Sequence, residues 1–220
     1  GRQTAMIRVI IADDHQVVRE GIKVALEDNS KIRIVGEAGD GLEFRRLLDR
    51  VHCDVLLLDI SMPGVEGLDV IECLVRQYPK VKILIVSMYP EKIYGLRAIR
   101  LGVAGYFKKT FPMTELPEAV ERVASGGRYI SGTLAEELAR ELGKDGGDRH
   151  GFETLSNREL QVFHMLARGK RISIIADELN LSVKTVSTYK SRICEKLGLN
   201  TSGEIIVYAH TNKLLNGNAE

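Results

Sequence analysis

From residue 6 to about residue 125, short β-branched apolar runs alternate with stretches whose apolar residues recur at helical spacing. Strands are expected at 8–12, 32–37, 55–59, 82–86 and 104–107, and helices at 16–27, 41–50, 67–77, 92–101 and 112–125. Five strand–helix units of this size imply a parallel sheet with helices on both faces. Val55-Leu56-Leu57-Leu58 is apolar without alternation, as a central strand buried on both faces requires.

The pattern changes after Gly126-Gly127. A short amphipathic stretch at 133–142 precedes Gly143-Lys144-Asp145-Gly146-Gly147-Asp148, a polar, glycine-rich linker. From Leu155 onward only helical periods appear. All five prolines fall in the first 117 residues, which marks the same boundary. The expected organisation is an α/β domain at 6–127, a linker with a short helix at 128–151, an all-α domain at 152–215 and a tail at 216–220. Residues 1–5, short and polar ahead of Met6, are set apart from the fold.

Composition adds three exclusions. A hydrophobic fraction of 44% and a charged fraction of 28% are globular values, so disorder is excluded. A formal net charge of +1 means that any nucleic-acid surface must be a local patch. Cys53, Cys73 and Cys194 are odd in number and in no metal-ligand spacing, which fits thiols in a reducing compartment. With no apolar run as long as a membrane span, the chain is expected to be soluble and cytoplasmic.

Candidate chemistry gathers at strand ends. The first strand ends in Asp13-Asp14, the third in Asp59, the fourth in Ser87 and the fifth in Lys108-Lys109. In an open sheet of order 2-1-3-4-5, strands one and three flank the switch point where functional groups collect. Three converging carboxylates repel one another unless a cation neutralises them, and an all-oxygen cluster suits Mg²⁺. A hydroxyl and an ammonium beside it complete a phosphoryl site. Asp59, the lone acid on the central strand, is then the nucleophile, with Asp13 and Asp14 on the metal. Lys109 reaches the cluster, while Lys108 points outward.

Ile10-Ile11-Ala12-Asp13-Asp14-His15, Asp59-Ile60-Ser61-Met62-Pro63-Gly64 and Gly105-Tyr106-Phe107-Lys108-Lys109 resemble the receiver domain of two-component response regulators over about 6–125. The resemblance implies that Asp59 accepts phosphate from a histidine kinase. It implies that Asp14, Asp59 and the Ser61 carbonyl hold Mg²⁺ with Asp13 behind them, and that Ser87 and Lys109 contact the phosphoryl oxygens. Tyr106 matches the switch aromatic that turns inward as Ser87 is drawn to the phosphate. Thr110 stands where a proline often follows the lysine.

In the second half, Ser156-Asn157-Arg158-Glu159 reads as a capping box. Leu160, Phe163, Leu166 and Ala167 form the stripe of the helix it opens. Ile172, Ile175, Ala176 and Leu179 line a second helix, Asn180-Leu181 turns, and Ser182 caps a third helix that Gly198 closes. So tight a turn makes a helix-turn-helix. Lys184, Ser187, Thr188 and Ser191 share one side of the third helix, where small hydroxyls can reach base edges in a major groove. Lys190, Arg192 and Lys196 lie toward its flanks, suited to phosphates.

Leu155-Ser156-Asn157-Arg158-Glu159-Leu160 and Leu181-Ser182-Val183-Lys184-Thr185-Val186, with Lys196-Leu197-Gly198, resemble the four-helix LuxR-type DNA-binding domain over about 152–215. With the receiver, this places the chain by resemblance in the NarL/FixJ class. The run from Thr185 through Lys190 to Arg192 most resembles the branch containing GacA and UvrY. Ile174 departs from the family's usual glutamate. The last helix, expected at 202–214, carries an apolar set wide enough for dimerisation or for packing on its own domain.

The expected function is a response regulator, not an enzyme acting on outside substrates. Phosphorylation of Asp59 would control homodimerisation and the binding of paired half-sites on double-stranded DNA. Two alternatives stand beside it. One is a phosphorylation-independent transcription factor with a vestigial receiver. The other is a Mg²⁺-dependent aspartyl-phosphate hydrolase, which the absence of an acid two residues after Asp59 disfavours.

Overall fold

The structure is a computed structural model and describes residues 5–62, 64, 65, 67–142 and 150–215. The glycine-rich linker at 143–148, the tail at 216–220, residues 1–4 and Pro63 lie outside the described residues. The first half contains β1 (Ile7–Ala12), α1 (Gln16–Glu27), β2 (Ile32–Ala38), α2 (Gly41–Arg50), β3 (Val55–Leu58), α3 (Asp69–Gln77), β4 (Lys82–Ser87), α4 (Glu91–Leu101), β5 (Gly105–Lys108) and α5 (Leu116–Ala124). The five strands form one parallel sheet in the order β2-β1-β3-β4-β5.

Period-two alternation assigns the sheet's two faces. Val9, Ile11, Val55, Leu57, Leu84, Val86 and Phe107 point to the side covered by α1 and α5. Ile10, Ala12, Leu56, Leu58, Ile83, Ile85 and Tyr106 point to the other side, with Phe44, Ile71 and Ala98 of α2, α3 and α4. Both faces are therefore sealed, and β3 is buried at all four residues. On the free edge of β5, Tyr129 adds a single parallel bridge to Gly105. A Cβ on Gly105 would lie 2.5 Å from the Tyr129 carbonyl oxygen, so only glycine allows that close approach.

After the sheet come α6 (Gly132–Leu142) and then α7 (Asn157–Ala167), α8 (Ile172–Leu179), α9 (Val183–Leu197) and α10 (Ser202–Thr211). The helix of the expected linker is docked rather than loose. It packs on α4 through buried Leu134, and Ser131 at its start donates both its N–H (3.2 Å) and its hydroxyl (2.6 Å) to the buried Glu91 carboxylate.

The capping box at Ser156 and Glu159 forms as its spacing predicts. Ser182 caps α9 by accepting the Thr185 N–H at 3.0 Å, and Gly198 ends that helix at φ +67°. Asn180 adopts φ +53°, which lets the chain turn within three residues between α8 and α9. α10 ends at Thr211, earlier than its apolar pattern suggests, because Leu214 and Leu215 bury their side chains after the helix has stopped.

Candidate functional site: an acidic pocket and an exposed recognition helix

Sheet register places the acids side by side. The Asp59 N–H donates to the Ala12 carbonyl at 2.9 Å and the Asp13 N–H to the Ala38 carbonyl at 3.0 Å, so β1 and β3 end at one height. Lys109 N–H donates to the Ser87 carbonyl at 2.9 Å, which brings the end of β5 alongside β4. The Lys109 ammonium then reaches Asp59 Oδ2 at 2.9 Å and Asp13 Oδ2 at 2.5 Å. Asp13 and Asp59 are each 1% exposed. Burial alone would lower the lysine's pKa, but the two carboxylates outweigh it and hold the ammonium above its usual value.

The other Asp59 oxygen, Oδ1, accepts the Ser61 N–H at 2.9 Å and its hydroxyl at 2.7 Å. Asp14 stands at the mouth of the pocket, its Oδ1 3.0 Å from His15 Nδ1. Partial burial and the charges of Asp59 and Asp13 raise the Asp14 pKa despite the opposing pull of His15. Ligand atoms of Asp13, Asp14, His15 and Asp59 lie within 4.8 Å of one another. Hard carboxylate oxygens in such a cluster fit a small divalent cation. His15 is a member the sequence reading did not include; the signal available for it was its place directly after Asp13-Asp14.

Ser87 and Tyr106 converge on Tyr89 rather than on the acids. The Ser87 hydroxyl accepts the Tyr89 N–H at 3.0 Å, and the Tyr106 hydroxyl donates to the Tyr89 carbonyl at 2.8 Å. Tyr106 is fully buried, which drives its phenol far above the usual value. Lys108 lies over the Phe111 ring, away from the pocket.

Tyr89 was not singled out in the sequence, and it sits where the two halves of the chain meet. Its ring stacks on Tyr94 with centroids 4.7 Å apart and meets the His164 ring edge-on at 4.2 Å. Beside it, Arg97 of α4 donates to the carbonyls of Leu155 (2.8 Å) and Phe152 (3.2 Å) and to Asn157 Oδ1 (3.1 Å).

α9 leaves Lys184, Thr188, Ser191 and Arg192 exposed, with Ser187 and Lys190 half-buried. The contact between the halves runs through residues 152–155 and α7, and α9 packs on α7 and α8. Among the described residues, Lys184, Lys190 and Arg192 have no ion pair. The hydroxyls of Thr188 and Ser191 donate to the carbonyls of Lys184 and Ser187 (3.0 and 3.1 Å), which leaves their lone pairs outward. Two predicted contacts carry structural duties. Thr185 Oγ1 is 2.8 Å from the Ser182 cap hydroxyl, and the Lys196 ammonium is 2.7 Å from buried Glu159 and 3.3 Å from the Thr154 carbonyl. Ile174 is exposed on α8.

Comparison with known proteins agrees with both halves. Residues 9–121 match the response regulator receiver domain, and residues 153–209 match the bacterial regulatory proteins of the luxR family. The chain is 35% identical to the response regulator GacA of Pseudomonas viridiflava over 214 residues, covering 97% of this chain and all of that one. It is also 35% identical to the response regulator UvrY of Escherichia coli K12, covering 96% of this chain and 97% of that one. The solved structure of RcsB from Salmonella typhimurium superposes with a TM-score of 0.73 at 29% identity, covering 94% of this chain and 98% of that one. RcsB has also been solved bound to the promoter rprA with the phosphomimetic BeF3−; that structure superposes with a TM-score of 0.68 at 28% identity, covering 92% and 98% of the two chains.

Proposed function

The chain belongs to the DNA-binding two-component response regulators, and from that premise we propose that Asp59 is its phosphoacceptor and that phosphorylation controls dimerisation and DNA binding. The observation that carries this reading is the Lys109 ammonium bridging Asp59 and Asp13 from three separate strand ends. An Asp59 oxygen attacks the phosphorus of a phosphohistidine on the partner kinase, the P–N bond breaks, and the imidazole leaves. Ser61 and Lys109 hold the Asp59 carboxylate for that attack, and Lys109 offsets the charge on the phosphoryl oxygens. Asp13, Asp14, Asp59 and the Ser61 carbonyl are the residues to hold Mg²⁺, which supplies further neutralisation of those oxygens when bound.

Ser87 is the hydroxyl that donates its proton to a phosphoryl oxygen as it leaves the Tyr89 N–H, and Tyr106, already turned inward beside it, is the switch aromatic. On the DNA side, Ser187, Thr188 and Ser191 face base edges. Lys184, Lys190 and Arg192 take phosphates, with Thr185 and Lys196 at the ends of the same surface. The exposed Val207 on α10, beside Tyr208 and Leu199, supports a homodimer that reads two half-sites about one helical turn apart. No helix among the described residues is long and apolar enough to cross a membrane.

The test is intact mass spectrometry after incubation with Mg²⁺ and a small acyl phosphate. A gain of one phosphoryl group, about 80 Da, is expected in the parent and none in Asp59→Asn. A folded parent that gains nothing overturns the reading in favour of a vestigial receiver.

A further inference from the structure

α7 is buried at every residue from Glu159 to Ala167 because it serves two neighbours. Leu160, Phe163 and Leu166 face its own bundle. The opposite stripe, Asn157, Gln161, His164 and Arg168, is spaced four, three and four residues apart, as one helical face requires. Each of these four side chains meets the receiver. Asn157 accepts from Arg97, and Gln161 lies against Gly67. His164 packs edge-on against the rings of Tyr89 and Tyr94, and Arg168 sits over Tyr89.

The centre of this contact is incompletely satisfied. His164 is 1% exposed, yet its Nε2 has no hydrogen-bond partner, and the same is true of the Tyr94 hydroxyl beside it. A contact that buries two orphaned polar atoms is held by ring packing and the Arg97 clasp against a standing desolvation cost. Among the described residues, the groups facing the imidazole are the two tyrosine rings of the receiver and, from its own domain, the cations Arg168 and Lys170, and no carboxylate acts on it. An imidazolium needs an acceptor at both nitrogens, and Nε2 has none in the closed contact.

We propose that His164 is a proton-operated release for the interdomain contact, so that acid separates the DNA-binding domain from the receiver without phosphorylation. Burial, reinforced by Arg168 and Lys170, holds the imidazole down at about 3 while the domains are together. Once they part it regains the ordinary histidine value, near 6.5. The contact is therefore at full strength above about pH 6.5 and weakens as the pH falls through that value. Moving from about pH 7.5 to 5.0 multiplies the ratio of open to closed chain by roughly 30.

This inference does not rest on the phosphorylation reading: it concerns the contact of α7 with the receiver, not the chemistry at Asp59. Its test uses the unphosphorylated full chain with no phosphodonor, so its failure leaves the phosphorylation reading intact. Small-angle scattering is recorded between pH 7.5 and 5.0 for the parent and for His164→Phe, which keeps a ring but cannot take up a proton. The radius of gyration should rise reversibly on acidification in the parent and stay constant in the variant. A parent that remains compact at pH 5.0, or a variant that opens with the same midpoint, overturns the proposal. Should His164→Phe fail to fold, nitrogen-resolved NMR of the parent's imidazole decides instead. Protonation of His164 coinciding with expansion supports the release, and protonation near pH 6.5 in a chain that stays closed overturns it.

Discussion

The Tyr106 hydroxyl donates to the Tyr89 carbonyl at 2.8 Å, while the Ser87 hydroxyl accepts the Tyr89 N–H at 3.0 Å. One residue thus has its donor and its acceptor committed to the two side chains assigned to the switch, and its ring committed to α7. A change at Ser87 has a direct physical route to the DNA-binding domain through the Tyr89 backbone. Tyr106→Phe removes the donor and leaves a buried carbonyl unpaired. It should cost about 1–2 kcal/mol of receiver stability in urea unfolding. It should also blunt the change in DNA affinity on adding a phosphodonor, while phosphorylation of Asp59 itself proceeds.

Gly105 is a steric requirement at the sheet edge. A Cβ there would lie 2.5 Å from the Tyr129 carbonyl oxygen and 2.9 Å from Leu84 Cδ1. Gly105→Ala should destabilise the receiver by about 1–3 kcal/mol, since neither backbone nor core can yield cheaply. Hydrogen exchange at the Tyr106 amide, which bonds to that carbonyl, should accelerate more than exchange in β3.

Glu159 links acid stability to the capping of α7. Burial works against its charge, but the Lys196 ammonium and the Ser156 bonds prevail, and its pKa lies below the usual glutamate value. The sign follows from the linkage. A depressed carboxylate contributes stability above its unfolded pKa, about 4.3, and that contribution is lost as pH falls through the lower folded value. Glu159→Gln should therefore destabilise the parent fold by about 1 kcal/mol at pH 7, with the difference shrinking below about pH 4. Thermal unfolding across pH 3–7 measures both ends.

The positive residues of α9 should separate into two groups. Arg192 has no ion pair among the described residues and is exposed, so Arg192→Ala should weaken binding to all duplexes and reduce the salt slope by about one. Lys196 is committed to Glu159. Lys196→Met should alter the salt slope less and lower the melting temperature of the protein more. Titrations against duplex at several salt concentrations, beside unfolding curves, discriminate the two.

Most of the receiver was legible in the residues because its signals are local. Apolar runs alternate with helical stripes, and acids and a lysine stand at strand ends where an open sheet collects them. The two caps, Ser156 and Ser182, were equally plain, since a cap is decided within four residues. What escaped was whatever needed a second element to acquire meaning. His164 reads as an ordinary residue on an apolar helix until α4 lies against it. Tyr89 is one aromatic among seven tyrosines until its backbone is seen between Ser87 and Tyr106. The stretch at 133–142 reads as a tether, and only its packing on α4, through Leu134 and the Ser131–Glu91 pair, makes it part of the receiver. Lys196 and Thr185 matched a basic and hydroxylic helix face, but tertiary and capping partners claim their polar atoms.

The central claim is that a phosphoryl group on Asp59 changes how the chain holds DNA. Its most direct test is affinity for a duplex selected by the chain from random sequence, measured with and without a small phosphodonor and Mg²⁺, for the parent and Asp59→Asn. The parent should bind at least about tenfold more tightly with the donor, a coupling of about 1.4 kcal/mol, and the variant should not respond. A parent shown by mass to be phosphorylated but unchanged in affinity, or a variant that tightens equally, would contradict the account.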